Sequence, residues 1–310
     1  MPKTVFFDLK SPCDGLTLSA VKVVPDGEIR CVLQMVHGMA EHKERYIPMM
    51  EYLSERGILC AMHDHRGHGG SRVPGGERGY FGGGGDEVLR DAMEMPASLK
   101  KEYPDVPVVL YGHSMGCLTA RAYRLKYGAA VRGYVFSGNP GGNTTGGAGR
   151  LVINILKPFI GMKKQCGLMD GIVTGAFAKP FKSEGLRTAW LTRDRAIAEA
   201  YANDPECGFP FTLDGYSALM DLIDLANLKK DAGCRDVPVL FVSGEKDPCM
   251  PDAKGLERTL EATRASGCDT LKSIVYPGMR HEVHNELGRE TVYDDICRFI
   301  DSVTGTEKML

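Results

Sequence analysis

Apolar residues along this chain alternate between two spacings. Short β-branched runs at residues 4–9, 17–24 and 30–36 read as strands, divided by turn-forming clusters at 12–15 and 25–27. They suggest an antiparallel lead-in. Ile47, Met50 and Leu53 then recur at helical spacing and stop at Gly57, and residues 58–63 form the next strand-like run. A helix is predicted over 86–101 from Val88, Leu89, Ala92, Met93 and Leu99, with Pro96 expected to bend or interrupt it. Val106, Val108, Val109 and Leu110 make a strand of buried character. Leu118, Ala122 and Leu125 make a helix that ends at Gly128, and residues 131–136 give another strand.

At Gly141 the texture changes. A glycine-rich stretch leads into some ninety residues without a regular strand pattern. Helices are expected at 151–160, 194–202 and 216–228, and the first of these is apolar on nearly all sides. The strand-helix alternation resumes with a strand at 238–243, a helix at 253–265, a strand at 271–276 and a closing helix at 290–302. Such alternation implies an α/β fold with a mostly parallel central sheet and helices on both faces. The expected organisation is a core of residues 1–139 and 234–310, with 140–233 inserted as a helical cap.

Composition narrows the function. The chain has 310 residues, 43% hydrophobic and 25% charged, enough for a large core. Its net charge of -2 offers no general attraction for nucleic acid or anionic lipid, so a small-molecule partner is expected. No signal-peptide core or span-length apolar run is visible, and the 10 cysteines lack Cys-x-x-Cys spacing; a soluble, cytoplasmic protein with reduced thiols is expected. Oligomeric state is not legible.

The chemistry concentrates where strands end. Gly112-His113-Ser114-Met115-Gly116 lies between a strand and a helix, the context in which Gly-x-Ser-x-Gly turns a serine hydroxyl outward. Asp247 and His281 also fall just past strand ends, where sites of parallel sheets form. A serine needs a base, and that base needs a carboxylate to fix its tautomer and stabilise its charged form. Ser114, His281 and Asp247 fill these roles, with His284 a neighbouring competitor for the base. Two amides must face the developing oxyanion, and Met39 and Met115 are the candidates. His63, Asp64, His65 and His68 lack a metal-site spacing and read as a loop-ordering network, so no metal is expected. No cofactor motif is present; residues 82–85 lack the ending of a phosphate loop.

These segments resemble one family. His37-Gly38-Met39-Ala40-Glu41-His42 with Arg45-Tyr46, Asp64-His65-Arg66-Gly67-His68-Gly69, the serine turn, Gly244-Glu245-Lys246-Asp247-Pro248, and His281-Glu282-Val283-His284-Asn285-Glu286 look like the monoacylglycerol lipase and lysophospholipase branch of the α/β-hydrolases. The resemblance implies a serine hydrolase of lipid-like carboxylic esters under a helical cap. It carries the nucleophile onto Ser114, the acid onto Asp247, the base onto His281 and the oxyanion amides onto Met39 and Met115. His37, Gly38, Leu151, Ile155 and Phe159 are the expected substrate contacts, and the cap is the expected place for transient membrane contact. An aminopeptidase or small-ester esterase is the rival enzyme. The peptidase would need a cap carboxylate in the site, from Glu184, Asp194, Glu199, Asp204, Glu206, Asp214 or Asp221. A ligand receptor on the same fold is the non-enzymatic reading.

Overall fold

The computed structural model describes residues 1–128, 131–141, 146–227, 236–250 and 253–305. Residues 142–145 of the glycine-rich stretch, Leu228, Cys234 and the expected end of the cap at 233 lie outside the described residues.

Eight strands form one sheet. They are β1 (Lys3–Lys10), β2 (Thr17–Val24), β3 (Cys31–Val36), β4 (Ile58–His63), β5 (Val108–His113), β6 (Gly133–Ser137), β7 (Val239–Gly244) and β8 (Leu271–Tyr276). The order across the sheet is β1-β2-β4-β3-β5-β6-β7-β8. β1 pairs antiparallel with β2, and β2 with β4; every later pairing is parallel. The lead-in is therefore antiparallel for two strands only, and β3 joins the parallel part between β4 and β5.

Alternation along the central strands feeds two cores. In β5, Val109 and Tyr111 pack with α1 (Ile47–Ser54) and α9 (Arg289–Thr304), through Met50, Leu53, Ile296 and Ile300. Val108 and Leu110 face the other way. There they meet α2 (Gly85–Glu102), α3 (Met115–Tyr127) and α8 (Ala253–Ala265) through Leu89, Leu99, Ala120, Tyr123 and Leu256. Period two in the strand thus becomes two helical layers.

Pro96 does not interrupt α2. A proline there leaves the carbonyl of Ala92, one turn earlier, without its usual partner. Gln34, fully buried in β3, supplies one: its Nε2 donates to the Ala92 carbonyl at 2.5 Å. A polar residue inside a strand and a proline inside a helix therefore answer each other.

Between β6 and β7 run α4 (Gly147–Ile160), α5 (Gly167–Val173), α6 (Arg195–Asn203) and α7 (Leu213–Ala226). The α7 helix packs on α2 and α3. Leu213, Tyr216, Leu219 and Leu222 of α7 share a third apolar cluster with Val88, Met115 and Leu118. Among the described residues no helix is long and apolar enough to cross a membrane.

Candidate active site

The two non-glycine residues with positive φ among those described are Ser114 (54°) and Ala40 (51°), one on each side of the same cleft. Such conformations are strained for side-chain-bearing residues and persist only when surroundings enforce them. Around Ser114 the enforcement is steric. A Cβ on Gly112 would overlap the Gly116 carbonyl, and one on Gly116 would overlap the Val36 carbonyl at the end of β3. Both glycines of the motif are therefore required by neighbouring backbone, and α3 can start immediately after the serine.

Asp247 follows β7 and His281 follows β8. His281 Nδ1 lies 2.9 Å from both carboxylate oxygens of Asp247, and both side chains are almost wholly buried. Asp247 Oδ1 also accepts from the Cys249 amide at 2.8 Å. Burial opposes a charge on His281, but the Asp247 carboxylate outweighs it and holds the imidazole pKa well above its ordinary 6.5. His281 Nε2 faces the cleft, 3.9 Å from Cys249 Sγ. Among the described residues the Ser114 hydroxyl has no hydrogen-bond partner, and such contacts commonly tighten only when substrate binds.

The rival base His284 is fully buried elsewhere. Its ring stacks on Tyr46 at 4.6 Å, and its Nδ1 lies 3.4 Å from the Tyr111 hydroxyl. Burial pushes its pKa down to about 3, so it is a neutral packing residue.

Met39 and Met115 flank the serine from two elements. Among the described residues neither backbone N–H donates to a protein acceptor, and Met39 and Gly38 line the cleft. The Met39 segment is firmly held: Gly38 N donates to Glu41 Oε1 at 2.6 Å, and Ala40 N to His68 Nε2 at 3.1 Å. Residues of α6 and of the segment after it hold the far side, where Tyr201 Oη and Gly208 N both donate to the Ala40 carbonyl, at 2.8 and 2.9 Å.

The histidine run forms a network around this loop. His37 Nε2 accepts from the His65 amide at 3.0 Å, and Asp64 pairs with Lys43 at 2.8 Å. Burial lowers the pKa of His37 and His68, and brings His63 to about 4 and His65 to about 3. His37 is wholly buried and is not among the residues lining the cleft.

A cavity of about 180 Å³ opens on Ser114 and His281. The side formed by residues between β6 and β7 is built from Asp170, Thr174, Trp190, Leu191, Tyr201 and Phe209, which the sequence did not single out as site residues. Leu151, Ile155 and Phe159 are not among its lining residues. They stand on the outer face of α4 at 63%, 59% and 84% exposure, while Val152, Ile153 and Leu156 turn inward. Apolar residues all round the helix had hidden which face was inner. Trp190 and Leu191 also anchor the histidine loop: Glu282 N donates to the Leu191 carbonyl at 2.7 Å, and the Trp190 ring centre lies 5.1 Å from that of His281.

The acidic residues suggested for ammonium binding are engaged elsewhere. Glu184 pairs with Arg280, Asp221 with Arg150, Glu199 with Arg195, and Glu206 with Arg72 and Arg78. Asp194 caps α6, Asp204 meets His42, and Asp214 accepts from the Phe81 and Gly82 amides. Asp170 of α5 is the carboxylate that the segment between β6 and β7 brings to the cavity, and its Oδ1 lies 3.0 Å from the Thr174 hydroxyl.

Sheet order, serine turn and cleft at the strand ends define an α/β-hydrolase. The chain belongs to the family described as serine aminopeptidase, S33, whose model matches residues 27–288. It is 31% identical over 279 residues to a monoacylglycerol lipase of Mycolicibacterium smegmatis, covering 90% of each chain. It is 27% identical to a monoglyceride lipase of Mus musculus, covering 90% of this chain and 84% of that one. Among solved structures, a thermostable carboxyl esterase from Bacillus coagulans in complex with glycerol superposes with a TM-score of 0.84 at 25% identity, over 97% of this chain and 99% of the other.

Proposed function

We propose that this protein hydrolyses carboxylic esters of lipid-like substrates, monoacylglycerols foremost, through an acyl-enzyme on Ser114. His281 Nε2 takes the Ser114 proton as Oγ attacks the carbonyl carbon. Asp247 fixes the imidazole tautomer and stabilises its charged form. The Met39 and Met115 amides receive the oxyanion. Collapse breaks the ester C–O bond, and the proton passes from His281 to the departing glycerol oxygen. Water, deprotonated by His281, then releases the fatty acid and restores the serine.

One observation carries the reading: Ser114 and His281 line one cavity, while the inner nitrogen of His281 lies 2.9 Å from a buried carboxylate. The lipase relatives support an ester of glycerol, and the cavity joins apolar Leu191, Trp190 and Phe209 to polar Asp170 and Thr174. Residues 140–233 act as the cap over this site. Exposed Leu151, Ile155 and Phe159 of α4, with Leu168 and Ile172 of α5, form an apolar surface suited to a transient lipid contact. The protein works in the cytoplasm.

The family description and Asp170 keep one alternative open, an aminopeptidase with Asp170 on the substrate ammonium. A panel of monoacylglycerols, lysophospholipids and aminoacyl amides separates the two. Turnover of monoacylglycerols at least tenfold above aminoacyl amides is expected. Preference for the amides, lost in Asp170→Asn, would replace the ester reading.

A further inference from the structure

A second cluster takes no part in the serine chemistry and is formed by residues far apart in sequence: His42, three residues beyond Met39, and Asp204 and Cys207 from the segment after α6.

We propose that His42, Asp204 and Cys207 bind a zinc-like divalent cation that ties the segment after α6 to the loop carrying Met39. The three potential ligand atoms lie within 4.8 Å of one another, with His42 Nε2 2.9 Å from Asp204 Oδ2. Zinc bonds of about 2.0 Å to nitrogen and oxygen and about 2.3 Å to sulfur put tetrahedral ligands roughly 3.3–3.6 Å apart. Small side-chain adjustments therefore reach the geometry. Imidazole, carboxylate and thiolate together favour zinc or cobalt over magnesium or calcium, which prefer oxygen donors.

The surroundings resemble a support shell for a metal. Glu44 Oε2 lies 2.6 Å from His42 Nδ1, the carboxylate-histidine arrangement that turns Nε2 toward an ion. Asp204 uses Oδ1 to accept from the Glu206 amide at 2.7 Å, leaving Oδ2 directed at His42. Cys207 is 8% exposed, whereas the His42 and Asp204 side chains are 15% and 32% exposed, so solvent can supply the ion and a fourth, water ligand.

Binding balances in charge. Held between the Glu44 and Asp204 carboxylates, the His42 imidazole carries both ring protons, and the buried Cys207 is a thiol. One dication replaces the proton of His42 and that of the Cys207 thiol, both released to solvent, and the three-residue group is neutral before and after. Glu44 with Lys43 behind it, Glu41 and Arg45 are the other charged groups acting there. Cys207 directly precedes Gly208, whose amide holds the Ala40 carbonyl, so an ion here stiffens the segment that presents Met39.

The test titrates chelator-treated full-length protein with Co²⁺ and Zn²⁺, reading thiolate-to-cobalt charge-transfer absorption, stoichiometry and thermal midpoint. One ion per chain is expected, with a thiolate band that Zn²⁺ displaces and a raised midpoint. Cys207→Ser should lose the band. Glu44→Gln should keep the band while weakening affinity roughly 10–100-fold, as loss of an outer-shell carboxylate does. Cys249→Ser should retain band and affinity, because it belongs to the separate Asp247–Cys249–His281 group. Absence of stoichiometric binding, or a band that survives Cys207→Ser and vanishes in Cys249→Ser, would overturn the proposal.

Discussion

The strand ends and the helical segment between β6 and β7 build one cavity by different physical means. At the strand ends, backbone holds backbone: Gly116 leaves no room for a Cβ beside the Val36 carbonyl, and Ser114 N donates to the Ser137 carbonyl at 3.0 Å. Across the cleft, isolated hydrogen bonds do the holding, from the Tyr201 hydroxyl and the Gly208 amide to the Ala40 carbonyl and from the Glu282 amide to the Leu191 carbonyl. The difference teaches where tolerance lies. The serine turn leaves no room for an added Cβ, whereas the far side of the cavity is held by isolated contacts.

Substitutions that break this contrast should rank accordingly. Ser114→Ala should lower ester turnover by on the order of 10⁶, as loss of a nucleophile does, with folding unchanged by circular dichroism. Asp247→Asn should cost about 10⁴ in kcat, because the imidazole loses its tautomer and its counter-charge. Gly116→Ala should destabilise the fold by about 2 kcal/mol or more in urea unfolding, since neighbouring carbonyls cannot yield. On the outer face, Phe159→Ser should leave kcat on a water-soluble short-chain ester within about twofold and weaken vesicle co-sedimentation. A loss of soluble-ester turnover there as large as that for Asp247→Asn would erase the distinction between the regions.

Two pH effects sharpen it further. His281 must be neutral to act as base, and Asp247 holds its pKa above 6.5, so kcat/KM should rise with pH to a midpoint above that value. The packing histidines work in the opposite direction. His63, His65 and His284 have folded pKa values near 4, 3 and 3, below the unfolded value of about 6.5. Their neutral-state stability is present above pH 6.5 and is lost as pH falls through that window, because the unfolded chain takes up protons first. Urea midpoints measured from pH 7 to pH 4 should fall steadily.

Much of the strand-end site was legible in the sequence because its constraints are local. Gly112 and Gly116 bracket Ser114 within five residues, and Asp247 and His281 each follow a β-branched run. The continuity of α2 was not legible, since the Gln34 side chain that satisfies the Ala92 carbonyl comes from a distant strand. Nor was the side of the cavity opposite the strand ends. Asp170, Trp190, Tyr201 and Phe209 lie in helices and turns without a motif, and only packing directs them inward. The outward setting of Leu151, Ile155 and Phe159 was not legible because an apolar run fixes a helix but not which face meets the core. The meeting of His42, Asp204 and Cys207 was not legible because more than 160 positions separate His42 from its companions.

Covalent trapping tests the central claim most directly. A long-chain fluorophosphonate, followed by peptide mass spectrometry, should add one phosphonyl group per chain to Ser114, with no label in Ser114→Ala and slower labelling in Asp247→Asn. A label on Cys249 or another residue, or full labelling of Ser114→Ala, would contradict the account.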